Sequence, residues 1–154
     1  MKKRLIRLTA FIVLLGTMIC GNAANAQKVR IDETNFPDEG LRNQLIDGLN
    51  LSQEADGNYY VETNDVTKLK IDCEKGQAVK NLKGIELFTV IKEIELRYVK
   101  ATSIDLSKFT DLDVIDFYHT ELNSVDASSN KKLKSFSMRC NGGLTSVKIP
   151  YSVT

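Results

Sequence analysis

Histidine, proline and cysteine are scarce in this chain, and there is no basic excess to speak of. One histidine, two prolines and three cysteines occur in 154 residues. The lone His119 leaves a hydrolytic triad a single candidate base. No G-x-S-x-G elbow and no H-E-x-x-H or C-x-x-C cluster offers a nucleophile or a metal site. The acids Glu93 and Glu95 are the kind of pair a glycosidase needs, but they project from a strand face beside Arg97 and read as solvated charge. No catalytic residue, metal or cofactor is expected. With 42% apolar and 27% charged residues, the composition fits one globular core and excludes collagen, disorder and a helical membrane bundle.

Long apolar runs are also missing. The longest, from Leu8 to about Ile19, falls short of the roughly 20 residues that span a bilayer. It follows Lys2, Lys3, Arg4 and Arg7 and precedes Ala24-Asn25-Ala26, so residues 1–26 predict a secretory signal cleaved before Gln27. Lipid anchoring through Cys20 is the rival, but Ile19 stands where a small residue is needed. Without the four basic residues of this segment, 17 basic residues face 20 acidic ones, a balance of −3. Phosphate-backbone binding then loses its driving force, and nucleic acid is excluded as a partner. The mature chain is expected outside the cytoplasm: secreted, at the cell surface or in the periplasm. Its two cysteines, Cys73 and Cys140, would by default form a disulfide there.

What the chain does have is a repeat. Ile91–Leu96, Leu112–Phe117 and Leu133–Met138 share the form L-x-x-L-x-L and start 21 residues apart. Each unit closes with a second apolar pair: Ile104 and Leu106, Val125 and Ala127, then Val147 and Ile149 one residue late, with Gly142-Gly143 placed to absorb the insertion. Upstream, Val66, Leu69, Ile71, Val79, Leu82 and Ile85 form a longer unit with extra residues in 72–78. Alternation along each short strand sends two apolar side chains inward, so stacked units bury a continuous column and the ends need covers.

At these residues the sequence resembles the secreted bacterial leucine-rich repeat proteins of the adhesin-like and internalin-like kind. The likeness covers about 66–149; Ile31–Glu39 resembles the start of the family's cap and Lys83-Gly84-Ile85-Glu86 a phrase of its first repeat. It implies an α/β-type leucine-rich repeat solenoid with short parallel strands on the concave face. The expected organisation is a signal at 1–26, a cap segment at 27–65 with one helix over about Pro37–Gly48, and about four repeats at 66–154. Pro37 suits a first helical turn, Asp38 and Glu39 suit its positive end, and Leu41, Leu45, Ile46 and Leu49 share one side. The resemblance also implies a calcium-loop-like acidic stretch near Asp56-Gly57. Here the sequence departs, with Ser52 at the first ligand position and Thr63 in place of a glutamate at the last, and no metal is expected.

Aligning the units places Lys70, Glu95, Asp116 and Ser137 in one outward column and Asp72, Arg97, Tyr118 and Arg139 in the next. A third column, at the strand exits, holds Cys73, Tyr98, His119 and Cys140. Cys73 and Cys140 then lie about 14 Å apart at a strand spacing of about 4.8 Å, beyond the roughly 7 Å that a disulfide allows, so the alignment predicts two free thiols. Arg97, Tyr98, Asp116, Tyr118, His119 and Arg139 are the candidate binding residues, because tyrosine and arginine dominate interface hot spots. Strict alternation would tilt Tyr98 or His119 into the core.

The resemblance implies adhesion or protein–protein interaction, with a host or bacterial surface protein or a glycan as partner. A spacer that binds nothing, or a truncated fragment of a larger repeat protein, is the alternative; a carbohydrate-active enzyme is a third class. Residues 150–154 form no helix that could cover the last repeat and resemble a phrase found inside longer family members. The final strand, about Phe136–Met138, is therefore expected to expose an edge. Self-association into a homodimer, a separate partner or a gene fragment would each follow, with Pro150 blunting the edge.

Overall fold

A computed structural model describes residues 27–151 and 153. The expected signal segment, with Cys20, lies outside the described residues. The elements are β1 (Lys28–Arg30), α1 (Glu39–Gly48), β2 (Tyr60–Glu62), β3 (Lys68–Asp72), a 3-10 turn (Ile85–Leu87), β4 (Glu93–Arg97), β5 (Val114–Tyr118), β6 (Ser124–Asp126), β7 (Ser135–Arg139) and β8 (Ser146–Lys148).

Strands β3, β4, β5 and β7 form one parallel sheet in that order. Ile71, Leu96, Phe117 and Met138 stand side by side in its register, as do Leu69, Ile94, Ile115 and Phe136. Alternation drives this arrangement: Ile94, Leu96, Ile115 and Phe117 are fully buried, while their neighbours line the opposite face. After each strand the chain returns through a second apolar layer, where β6 and β8 pair in parallel with Val125 opposite Val147. The result is a solenoid of about four turns, as the 21-residue period predicts.

Three phenylalanines fill the layer behind the strands. Phe36, Phe88 and Phe109 are all fully buried, and the Phe36 and Phe88 rings lie 5.9 Å apart. Gly84 makes room for the first pair: its φ is 106°, and a Cβ there would meet Asn35 O and Phe36 Cδ1 at 2.4 Å. One repeat after Phe109, Asn130 takes the same place. Its buried Nδ2 donates to Leu106 O at 3.0 Å and Phe109 O at 2.8 Å, while its Oδ1 has no partner among the described residues.

The cap is built differently from the sequence expectation. Helix α1 begins at Glu39, with Asp38 as its N-cap, so Pro37 precedes the helix instead of opening its first turn. The reason is the Asp38 carboxylate. One oxygen accepts from Leu41 N at 2.9 Å, and the other accepts from Lys80 N at 2.9 Å and Asn81 N at 3.0 Å in the first repeat. The cap also contains an antiparallel pairing of β1 with β2, which puts Val29 and Val61 in the same core.

Gly142 and Gly143 do not adopt the left-handed conformation that would call for glycine. Besides Gly57, Gly84 and Asn50, the residues with positive φ carry side chains and fall at the strand exits: Tyr98 (φ 55°), His119 (φ 51°) and Cys140 (φ 58°). Cys73 and Cys140 are both free thiols; Cys73 is buried and Cys140 exposed.

Candidate functional site

Tyr118 stands at the centre of the outward sheet face. It projects from β5 because Ile115 and Phe117 point inward and force residues 114, 116 and 118 outward. Arg97 on β4 and Arg139 on β7 are its register neighbours, so the sheet places one guanidinium on each side of the ring. Their Cζ atoms lie 5.9 and 5.6 Å from the ring centroid, within cation–π range. Asp116, two residues back on the same face, bridges both arginines, at 3.7 Å to Arg97 and 3.3 Å to Arg139.

Tyr98 and His119 complete the cluster through the left-handed exits. A positive φ interrupts the alternation at both: His119 is exposed, while Tyr98 stays half-buried and packs against the core. Their rings stack 5.3 Å apart at 10°, and Tyr118 meets both edge-on, at 5.6 Å to Tyr98 and 4.6 Å to His119. Partial burial pushes the Tyr98 phenol up, with nearby Glu74 adding to it. The column of strand exits is not uniform: Cys73 is turned inward, where burial raises its thiol despite a Val79 backbone hydrogen bond.

Arg97, Tyr98, Asp116, Tyr118, His119 and Arg139 therefore form one contiguous patch. The reading of Glu95 as solvated charge fails. Its side chain is only 12% exposed and lies within bridging distance of Lys68, Lys70 and Arg97. Burial works to raise its carboxyl, but the Arg97 hydrogen bond and the lysine charges outweigh it and hold the carboxyl below the usual range. Glu95 in turn fixes the Arg97 guanidinium beside Tyr118. Asn141 is a further positioning residue that the sequence reading passed over. Its Oδ1 accepts from Thr120 N at 2.8 Å and Thr120 Oγ1 at 2.7 Å, and its Nδ2 donates to Phe117 O at 3.2 Å. That clamp holds the chain just after His119, and its only sequence signal is an asparagine one residue past a strand exit.

This surface is a face of rings and paired charges, and among the described residues no group of three or more His, Cys, Asp or Glu is placed to hold a metal ion. No helix among the described residues is long and apolar enough to cross a membrane.

No family model and no curated protein matches the chain. Among solved structures it is similar to the functional domain of InlJ from Listeria monocytogenes, which is described as including a cysteine ladder. That likeness has a TM-score of 0.60 at 17% identity and covers 79% of this chain and 28% of the other. The chain thus spans under a third of that protein's length, and the similarity shows an internalin-like leucine-rich repeat solenoid as its fold.

Proposed function

We propose that the chain is an exported binding module that recognises another protein through the sheet face centred on Tyr118. The observation carrying this reading is the cluster itself: three aromatic rings in mutual contact, flanked by two arginines that a shared carboxylate and Glu95 hold in place. Such rings and guanidiniums add large contact area with little conformational freedom left to lose on binding. The internalin-like fold supports an interaction role, and the basic, apolar and small-residue order of residues 1–26 supports export, with adhesion at a host or bacterial surface as the setting.

The test compares the wild type with Tyr118→Ala and with Tyr98→Ala/His119→Ala. Each is immobilised and exposed to host and bacterial surface fractions, and any retained protein is identified, purified and rebound. A partner held by the wild type and weakened at least tenfold by both variants, whose melts match the wild type, supports the reading. A partner indifferent to both variants places binding elsewhere, and no partner at all favours a spacer. Intact mass of exported protein should begin at Gln27; a lipid-modified Cys20 would contradict soluble export.

A further inference from the structure

Two strand edges face each other across the junction between the cap and the first repeat without pairing. On β3 the odd-numbered residues carry the ladder to β4, since Glu93 N donates to Thr67 O at one end and Cys73 N to Arg97 O at the other. The backbone groups of Lys68, Lys70 and Asp72 therefore point toward the cap. Helix α1 covers part of this edge: Gln44 Oε1 accepts from Asp72 N at 3.1 Å, and a Cβ on Gly48 would stand 3.8 Å from Lys70 O. Lys68 has no such cover, and its N–H and C=O find no backbone partner among the described residues. On β2, Ile31 N donates to Tyr59 O and Thr63 N to Gln27 O, so residues 59, 61 and 63 bond to β1. Tyr60 and Glu62 turn their backbone groups the other way. Asp65 N donates to Glu62 O at 3.0 Å, whereas the Tyr60 N–H and C=O have no backbone partner among the described residues.

Tyr60 and Lys68 both line a groove of about 490 Å³, a volume within the range of about 300–1,000 Å³ that ligand sites occupy. Leu49, Leu51, Val61 and Val66 supply its apolar lining, and Glu62 and Asp65 supply carboxylates. The charge here is one-sided. From Asp47 to Asp65 the sequence has five acidic residues and no basic one. Lys68 is taken up by Glu93 at 2.7 Å, and Lys28, opposite Glu62 in the register, is held by Glu54 at 2.5 Å. Glu62 and Asp65 form no salt bridge among the described residues.

We propose that this groove is a docking site for an extended basic segment of another protein. An apolar side chain of the segment would enter among Leu49, Leu51, Val61 and Val66, and its backbone would meet the groups that Tyr60 and Lys68 leave open. Its lysines or arginines would face Glu62 and Asp65, the two carboxylates in the groove with no cation of their own. Charge selects this occupant, because an acidic segment would be repelled by the same residues. A second copy of the chain offers Lys131, Lys132 and Lys134, but the apolar residue among them, Leu133, is fully buried in its own core. The site is built from residues 49–68 and does not depend on the role proposed for the Tyr118 cluster.

The chain has no tryptophan, so indole fluorescence reads a bound peptide without background. The probe is acetyl-Lys-Trp-Val-Lys-amide, with a control peptide carrying glutamate at both lysine positions. Both are titrated against the exported protein, and amide chemical shifts locate the binding. The lysine peptide should bind saturably with a blue shift of its emission, and move amides at 49–51 and 60–68. Its affinity should fall at least fivefold on raising salt from about 0.05 to about 0.5 M. Glu62→Lys/Asp65→Lys should weaken it at least tenfold and gain affinity for the glutamate peptide, an exchange of preference that misfolding cannot produce. Equal binding of both peptides, unshifted emission, shifts away from 49–68, or no saturation up to about 1 mM would overturn the proposal. So would tryptamine binding as tightly as the peptide, which would show a small-amine site. The same amides shifting without peptide as the protein is concentrated would put a second copy in the groove. Loss of binding in a chain that keeps residues 1–26 would put that segment there. Either result would overturn the proposal.

Discussion

Asn130 allows the repeat register to be tested by energy. It stands where Phe88 and Phe109 stand in the preceding repeats, and its amide nitrogen feeds two carbonyls of the neighbouring turn. Each carbonyl also accepts a backbone donor, Leu106 O from Phe109 N and Phe109 O from Leu112 N. Asn130→Ala therefore removes two second hydrogen bonds, worth about 0.5–1.5 kcal/mol each, and also removes a buried acceptor whose lack of a partner costs about 1–3 kcal/mol. These effects nearly cancel, and with the lost packing Ala should destabilise by about 1 kcal/mol. Asn130→Asp keeps the shape, deletes both donors and sets a carboxylate against two carbonyls. Burial and those carbonyls favour the neutral acid, so its folded pKa should rise above an unfolded value of about 3.9. A raised folded value contributes fully below the unfolded pKa and is lost as pH climbs through the folded one, and a rise of two units corresponds to about 2.7 kcal/mol. Asp should thus be at least about 2 kcal/mol less stable than Ala at pH 7 and converge on it near pH 4. Urea denaturation of the two variants at both pH values measures that difference, since other titrating groups cancel between them. An Asp variant as stable as Ala at pH 7 would refute the placement of this side chain in a dry, carbonyl-lined site.

Three further outcomes follow from single contacts. Gly84→Ala should destabilise by about 3 kcal/mol or more, because both the left-handed φ and the 2.4 Å approach to Phe36 resist a methyl group; a loss under about 1 kcal/mol in chemical denaturation would contradict this. In the folded protein from Gln27, a thiol reagent should modify Cys140 at once and Cys73 only on unfolding, and detection of an intramolecular disulfide would break the repeat alignment. Asp126 is held down to about 2 by the Ser128 side-chain and backbone hydrogen bonds and then by Lys148. Its folded value lies below the unfolded one, so its support for the turn is present above about pH 4 and lost as pH falls through about 2; a carboxyl carbon titration centred near 4 would refute it.

The solenoid was legible because two independent periods agree in the sequence. The 21-residue spacing fixes the turn, and the two-residue alternation fixes which side chains enter it; Val147 opposite Val125 shows that even the late pair was placed correctly. Features made by single side chains were harder to read. Asp38 looks like any acid near a helix start, and nothing in the sequence indicates that its second oxygen ties down residues 80 and 81. The β1–β2 pairing joins segments some 30 residues apart, each only three residues long. Within the candidate site all six residues were placed on one surface by register alone. The arrangement of the rings was not, because alternation was carried one residue too far: no glycine or asparagine at 98, 119 or 140 signals a left-handed exit. Glu95 was misread for a different reason: alternation says only that it faces outward, and Arg97 on its own strand and Lys68 and Lys70 on β3 gather around it there.

Those exits have an implication for how this protein could be improved and what improvement would take away. A left-handed residue with a side chain costs about 1 kcal/mol or more relative to glycine, so Tyr98→Gly, His119→Gly and Cys140→Gly are each candidates for a more stable protein. Two of the three would also strip the rings from the Tyr118 cluster. Backbone comfort and surface chemistry are therefore in direct opposition at Tyr98 and His119. Cys140 carries no ring, and its replacement separates the two contributions: whatever stability glycine returns at 140 is the backbone share of what the aromatic pair withholds at 98 and 119.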